Sequence, residues 1–177
     1  MKPSDARSGN RSCPGFSLVE VMISLAISAM LLAAVAAAFS ASTAAVENND
    51  QFFRASQSAR VALNLMLTEI RRCNAVNVPS ATRIDMITAD LQDLSFVYTY
   101  DSTRQTGKLM LIKNDTGAQY TLADHVAAMT FANDTALGAG NVTYVARVAI
   151  AMNVENKDNQ VRLAGSAAPR RVLVYKS

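Results

Sequence analysis

The hydrophobic residues of the chain follow three patterns in succession. Residues 16–39 are almost uniformly apolar, residues 55–73 carry apolar side chains every three or four positions, and apolar and polar residues alternate after Pro79. A long apolar run is typical of a membrane-spanning helix, spacings of three and four indicate an amphipathic helix, and alternation indicates β-strands. The patterns predict an α+β protein in which a long N-terminal helix packs on a C-terminal antiparallel sheet.

The distribution of glycine and proline supports one long helix. Both residues are absent from 16–78, a run of 63 residues. We expect a single helix that continues out of the membrane and is stopped by Pro79. Its outer half should bury one face on the sheet and expose four arginines. The expected buried face is Ala59, Ala62, Leu63, Met66, Ile70 and Cys73, and the arginines are Arg54, Arg60, Arg71 and Arg72.

The region after Pro79 reads as a series of short strands separated by turn residues. The candidates are Arg83–Thr88, Leu94–Tyr100, Lys108–Lys113, Gln119–Leu122, Val126–Phe131, Val142–Val154, Val161–Leu163 and Arg171–Tyr175. The third and fourth candidates form a hairpin through Asn-Asp-Thr-Gly, and Asn133–Asn141 is expected to be an exposed loop. Short strands with tight turns predict a mostly antiparallel sheet.

The apolar N-terminal segment is long enough to cross a bilayer. The 24 residues from Phe16 to Phe39 form a helix of about 36 Å, against a hydrocarbon core of about 30 Å. Lys2, Arg7 and Arg11 precede the segment, whereas Ser40–Phe53 after it carries Glu47 and Asp50 and no Lys or Arg. The positive-inside bias therefore places the N-terminus in the cytoplasm and the C-terminal region outside.

Glu20 is the one charged residue of the apolar segment. A carboxylate within a membrane helix is costly, so an intramembrane ionisable residue is a functional candidate. The alternative is that Glu20 lies near the interface and reaches water.

Residues Gly15–Glu20, Gly-Phe-Ser-Leu-Val-Glu, follow the basic segment and open the apolar run. This arrangement resembles the processing motif of type IV pilins and of type II secretion pseudopilins. The stretches Gln57–Cys73, Leu122–Phe131 and Val145–Val154 are similar to the J-type and W-type minor subunits. Major pilins often have proline at the twenty-second mature position, where this chain has Ala37, so the resemblance favours a minor subunit with a pilin-like fold.

The resemblance implies a site and a set of partners. A membrane prepilin peptidase would cleave between Gly15 and Phe16, and the same enzyme would N-methylate Phe16. The mature subunit would assemble with other pilin-like subunits on an inner-membrane platform and help to initiate a filament at its tip. Glu20 would pair with the free α-amino group of a neighbouring subunit and set the register between the two. The chain would be a single-pass inner-membrane protein with its C-terminal domain extracytoplasmic.

Cleavage would divide the chain into a leader, residues 1–15, a filament-core helix, 16–39, an amphipathic extension, 40–78, and a sheet domain, 79–177. It would remove a net charge of +2 of the precursor's +3, so the high isoelectric point is no argument for nucleic-acid binding. It would also remove Cys13 and leave Cys73 alone, without an intramolecular disulfide. We expect Cys73 to be a small buried hydrophobe.

Residues typical of catalysis or metal binding are sparse. His125 is the single histidine, which argues against a zinc site, and we expect it at the sheet surface. Asp85, Asp90 and Asp93 are close in sequence but lack the EF-hand spacing, so they are expected to be solvated rather than calcium ligands. No nucleophile motif or phosphate-binding glycine loop is present. We therefore expect a structural protein without a cofactor rather than an enzyme.

Three alternatives remain. Ala36–Ala38 resembles a signal-peptidase site after an apolar region, and cleavage there would release a soluble exported domain. A membrane-anchored binding or enzyme domain would need a polar pocket in the sheet domain. A DNA-uptake pilin would need a basic patch, for which Arg170, Arg171 and Lys176 are the densest candidates.

Overall fold

The computed structural model describes residues 15, 17–103, 105–138, 141–156 and 159–170. They form one helix and seven strands: α1 Leu18–Arg72, β1 Ala75–Ser80, β2 Arg83–Ile87, β3 Asp93–Asp101, β4 Thr106–Lys113, β5 Ala118–Leu137, β6 Thr143–Asn156 and β7 Asn159–Ala167. The chain divides into two compact units, Met1–Val46 and Glu47–Ser177. The predicted strand Arg171–Tyr175 lies outside the described residues.

The seven strands form one antiparallel sheet in chain order, from β1 at one edge to β7 at the other. Each strand is joined to the next along the chain, as expected for short turns between alternating segments. The prediction of a long helix packed on an antiparallel sheet is confirmed.

The core of the second unit lies between the outer half of α1 and one face of the sheet. All six helix-face residues predicted to be buried are buried, and Ala55 extends this face by one turn. They pack with sheet residues such as Phe96, Leu109 and Ile150 in one cluster. The four arginines of the helix are exposed, as predicted. The helix lies close to β7 at Gly165. A Cβ added to Gly165 would lie only 2.7 Å from Leu67 Cδ1.

The helix ends at Arg72, so the prediction that it continues to Val78 is wrong. The Cys73 amide makes a last helical bond to the Glu69 carbonyl at 2.8 Å. Asn74 then turns to the sheet: its amide donates to the Ile87 carbonyl at 2.8 Å and its Nδ2 to the Thr88 carbonyl at 3.0 Å. Hydrogen bonds to the end of β2 and to the residue after it therefore turn the chain away from the helix before Pro79.

Pro79 lies within β1, a strand that the pattern did not predict. It falls where the register with β2 shifts, between Asn77 and Ser80, at the edge of the sheet. An edge strand with an irregularity is where a sheet tolerates a residue that lacks an N–H.

Strand β5 joins two predicted strands and extends through Leu137, so the prediction of a loop over Asn133–Asn141 is wrong as far as that residue. His125 adopts a positive φ of 58° in the middle of β5, and the register shifts on both sides of it. The buried residues Ala123, Val126, Met129 and Phe131 consequently depart from strict alternation. These irregularities interrupt the alternation of buried and exposed residues in the sequence, but the strand continues through them.

Candidate processing and assembly site

The N-terminus of α1 is defined by Ser17. Its Oγ accepts a hydrogen bond from the Glu20 amide at 3.2 Å, and its carbonyl accepts one from the Val21 amide at 3.2 Å. Ser17 itself is not helical, and Leu18 is the first helical residue. These are the bonds of an N-cap serine, whose side chain satisfies one of the otherwise unpaired amides of the first turn.

Glu20 lies in the first turn of α1, three residues after the cap, and is exposed. The spacing Ser-x-x-Glu is that of a capping box. A carboxylate here also interacts favourably with the positive end of the helix dipole. Glu20 therefore occupies a position at which a carboxylate favours the start of a helix.

Gly15 lies outside the helix and is exposed. No described atom lies within 4 Å of a Cβ built on Gly15, so packing within the described part of the chain does not require glycine there. Phe16, the predicted N-methylation site, and residues 1–14 of the predicted leader lie outside the described residues.

The helix behind this site exposes a continuous apolar surface. It is long and apolar enough to cross a membrane, and its most apolar window is fully exposed. Large side chains that a soluble unit would bury are exposed along it: Leu18, Val19, Val21, Met22, Ile23, Leu25, Ile27, Met30, Leu31, Leu32, Val35 and Phe39. Exposed apolar side chains on this scale need either lipid or neighbouring chains around them.

Cys73 is fully buried, as predicted, and is a free thiol. Its thiol donates to the Ile70 carbonyl at 3.0 Å. The pKa of the Cys73 thiol is raised to about 11, mainly by burial; a backbone hydrogen bond lowers it in part, and the charge of Glu69 makes a smaller contribution to the rise. A thiol with so high a pKa is a poor nucleophile and a packing residue.

His125 is half-exposed at the irregularity of β5, in agreement with the prediction of a surface position. Its amide donates to Asp124 Oδ1 at 2.9 Å. Among the described residues, no group of three or more His, Cys, Asp or Glu side chains is placed to hold a metal ion.

The three aspartates considered for calcium do not form a metal-binding group among the described residues. Asp90 is exposed, but Asp85 is buried, so the expectation that all three are solvated is wrong for Asp85. Asp85 Oδ1 accepts hydrogen bonds from Arg83 Nε at 2.7 Å and from the fully buried Ser95 hydroxyl at 2.6 Å. Asp93 Oδ1 accepts one from Asn114 Nδ2 at 2.8 Å. Alternation along β2 did not predict that Asp85 is buried, because the buried partner of its carboxylate, Ser95, lies on another strand.

The basic patch considered for nucleic acid is described only at Arg170, which is exposed. Its amide donates to the Arg71 carbonyl at 3.3 Å, at the end of α1. Arg171 and Lys176 lie outside the described residues.

Sequence reasoning used Gly15 and Glu20 but overlooked Ser17. The signal was present, because a serine three residues before a glutamate, ahead of an apolar run, is the usual signature of a helix start.

Residues 10–36 match the family model of the prokaryotic N-terminal methylation motif. This range contains Gly15, Ser17, Glu20 and the first part of α1. No curated protein and no solved structure matches the chain.

Proposed function

We propose that this chain, whose N-terminal methylation motif, long helix and antiparallel sheet fit a pilin-like protein, is a minor structural subunit of a type IV pilus or a type II secretion pseudopilus. The observation that carries the proposal is the methylation motif that spans the start of a helix with an exposed apolar surface. A subunit that leaves the bilayer to enter a filament needs such a surface in both environments.

Processing would take place between Gly15 and Phe16. Hydrolysis of this peptide bond leaves a carboxylate on Gly15 and a new α-amino group on Phe16, which the same prepilin peptidase then methylates. The exposed position of Gly15 and the lack of any demand for glycine from the described chain support a requirement imposed by the peptidase. Glycine leaves the backbone unhindered next to the bond that is cleaved.

The competing cleavage after Ala36–Ala38 is disfavoured by the helix. These three residues lie in the interior of α1, with all of their neighbours helical. A protease needs an extended segment, and helix backbone must first unfold to supply one.

In the membrane, the helix would span the inner membrane once, with the leader in the cytoplasm and the sheet outside. The distribution of Lys2, Arg7 and Arg11 before the apolar segment supports this orientation. The partners would be the prepilin peptidase, other pilin-like subunits and the inner-membrane assembly platform.

Ala37 supports the assignment to a minor subunit, because major pilins often have a proline at this position. A proline there would interrupt the hydrogen bonds of α1. The helix is continuous through Ala37. A place at or near the filament tip, as an initiator of assembly, follows from the same resemblance to minor subunits.

Glu20 would pair with the α-amino group of Phe16 in a neighbouring subunit. In a filament core without water, either charge alone is strongly disfavoured, and the pair offsets part of that cost. The test is filament assembly by Glu20→Gln, with Glu47→Gln as the matched control, because Glu47 lies on the same helix beyond the apolar run. We expect cleavage of both variants but assembly only of the control. Assembly of Glu20→Gln at the parent level would refute the register role.

A further inference from the structure

We infer that the free edge of β7 binds an extended acidic segment of a partner protein, which adds a strand to the sheet and pairs a carboxylate with Arg162. The inference goes beyond the proposed function and does not depend on cleavage after Gly15, because β7 lies in the second unit, Glu47–Ser177.

The two edges of the sheet differ in their ability to accept another strand. At one edge, β1 contains Pro79 and its register with β2 shifts, and both features protect an edge against pairing. At the other edge, β7 contains no proline and pairs with β6 in unbroken register along its whole length. Every second residue of an antiparallel strand directs its N–H and C=O away from its neighbour. Strand β7 therefore presents a row of backbone donors and acceptors to a further strand.

The described residues that follow β7 lead away from this edge. The Arg170 amide donates to the Arg71 carbonyl at 3.3 Å, so the chain passes from the end of β7 to the end of α1. Within β7, the residues from Asn159 to Ser166 are all at least partly exposed. The edge is therefore accessible in the part of the chain that the structure describes.

The two faces of β7 define the side chains that the partner must carry. Val161 and Leu163 pack against the hydrophobic core but are only half-buried. Apolar residues on the same face of an added strand would complete their burial. Arg162 and Ala164 alternate with them on the outer face and are exposed. A complementary strand is therefore apolar toward the core and polar toward the solvent.

Arg162 specifies the charge of the partner. It is exposed and makes no ion pair or side-chain hydrogen bond within the described chain. Asn153 lies directly opposite on β6, but its buried Oδ1 has no hydrogen-bond partner and so does not accept from the guanidinium. Beside Arg162 lies an open groove of about 540 Å³, and none of the described residues that line it is acidic. The groove leaves room for a carboxylate, the group that an arginine binds best.

A second copy of β7 does not supply this carboxylate. Arg162 is the single charged residue of the strand. Two copies paired edge to edge would therefore bring two arginines to one ribbon without an acidic residue opposite either of them. Opposite charges across a strand pair are stabilising and like charges are destabilising. The charge of β7 thus favours an acidic partner strand over its own copy.

The test uses the full-length chain in detergent micelles and fluorescent peptides of the same length as β7. The peptides alternate threonine and valine and differ only at the central threonine position, which carries glutamate, glutamine or lysine. Binding is measured by fluorescence anisotropy. We expect the parent to bind the glutamate peptide about tenfold more tightly than the lysine peptide, because an attractive cross-strand pair is replaced by a repulsive one.

Charge reversal assigns this preference to one residue. Arg162→Glu should bind the lysine peptide more tightly than the glutamate peptide, and Arg162→Gln should bind the two with equal affinity. The matched control is Arg170→Glu, because Arg170 is an exposed arginine that lies beyond β7. The control should keep the parent's preference. An unchanged preference in Arg162→Glu, or the same reversal in Arg170→Glu, would overturn the inference.

Hydrogen exchange locates the bound peptide. The glutamate peptide should slow exchange within Asn159–Ala167 and leave β1 unchanged. Slowing at β1, or at neither edge, would overturn the inference. Slow exchange in β7 that increases with protein concentration, without peptide, would replace the acidic partner by a second copy. Binding by a chain that ends at Arg170, but not by the parent, would assign the edge to residues 171–177. A failure of cleavage after Gly15 would refute the proposed function and leave these results unaffected.

Discussion

The ring of Tyr98 lies directly against Gly107. A Cβ added to Gly107 would come within 2.7 Å of both Cζ and Oη of that ring. The Tyr98 side chain starts on β3, crosses β4 at the glycine and reaches β5, where its hydroxyl lies 3.1 Å from the Val126 carbonyl and 3.0 Å from the Ala127 carbonyl. The glycine therefore makes room for a hydroxyl that satisfies backbone acceptors where the register of β5 shifts.

Substitution of Gly107 by alanine should destabilise the sheet. The aromatic ring is rigid and tied to β5, so it cannot yield to the added methyl group without losing its hydrogen bond. We expect Gly107→Ala to lower the free energy of unfolding by about 1–3 kcal/mol, as overpacking does. Urea unfolding of the fragment 47–177, which contains every buried hydrophobic residue described, measures the change. Unaltered stability would mean that the ring moves freely.

Substitution of Gly165 by alanine should have a smaller effect that depends on Leu67. The atom in the way is the end of a flexible leucine side chain, 2.7 Å from the added Cβ. We expect Gly165→Ala to cost about 1 kcal/mol in the parent and close to nothing in a Leu67→Ala background, a coupling typical of residues in contact. Urea unfolding of the parent, Gly165→Ala, Leu67→Ala and the double variant measures this coupling. Equal costs in the two backgrounds would contradict the contact.

The buried thiol of Cys73 should make stability fall at high pH. Its pKa is raised from 9.0 to about 11 in the folded chain, mainly by burial. Between these values the unfolded chain loses the proton while the folded chain keeps it, so the stabilisation is complete below about pH 9 and is lost as pH rises toward 11. We expect a loss of about 2 kcal/mol by pH 11.

The control for this prediction is Cys73→Ala, which should show a shallower decline over the same pH range. The pKa of Tyr98 is also raised, by burial first and by the charge of Tyr100, but Tyr98 contributes to both proteins and cancels in the difference. Parallel pH profiles of the parent and Cys73→Ala would show that the thiol is not the source.

The buried and exposed ion pairs of the sheet should differ in their effect on stability. Asp85 is buried against Ser95 and Arg83, whereas Asp134 and Arg147 pair at 2.6 Å with 62% and 61% of their side chains exposed. We expect Asp85→Ala to cost about 2 kcal/mol, because it leaves the Ser95 hydroxyl buried without its acceptor. Asp134→Ala should cost less than about 1 kcal/mol. Similar losses in chemical denaturation would contradict this difference in burial.

The parts of the fold that follow from local periodicity were predictable. Spacings of three and four residues identified the buried face of α1, from Ala59 to Ile70, and buried Cys73 just after it, and alternation located strands β2, β3, β4 and β6 within a few residues. In each case a single repeat in the sequence separates the buried face of the element from its exposed face.

The errors arose where contacts distant in sequence overrule the local pattern. Asn74 ends α1 because β2 supplies its hydrogen-bond partners, and Pro79 lies in β1 because that strand is at the sheet edge. At the candidate site, Gly15 and Glu20 were recognised from their spacing, whereas the cap at Ser17 was overlooked although its spacing from Glu20 indicated it. The buried partner of Asp85, Ser95 on β3, likewise could not be predicted from the sequence of β2 alone.

The central claim, that this chain is a processed pilin-like subunit, is tested most directly by the mass of its N-terminal peptide after expression in cells that process other prepilins. The account predicts a mature chain that lacks Met1–Gly15 and begins at Phe16 carrying one N-methyl group. A chain that begins at Phe39, or one that retains Met1 in those cells, would contradict it.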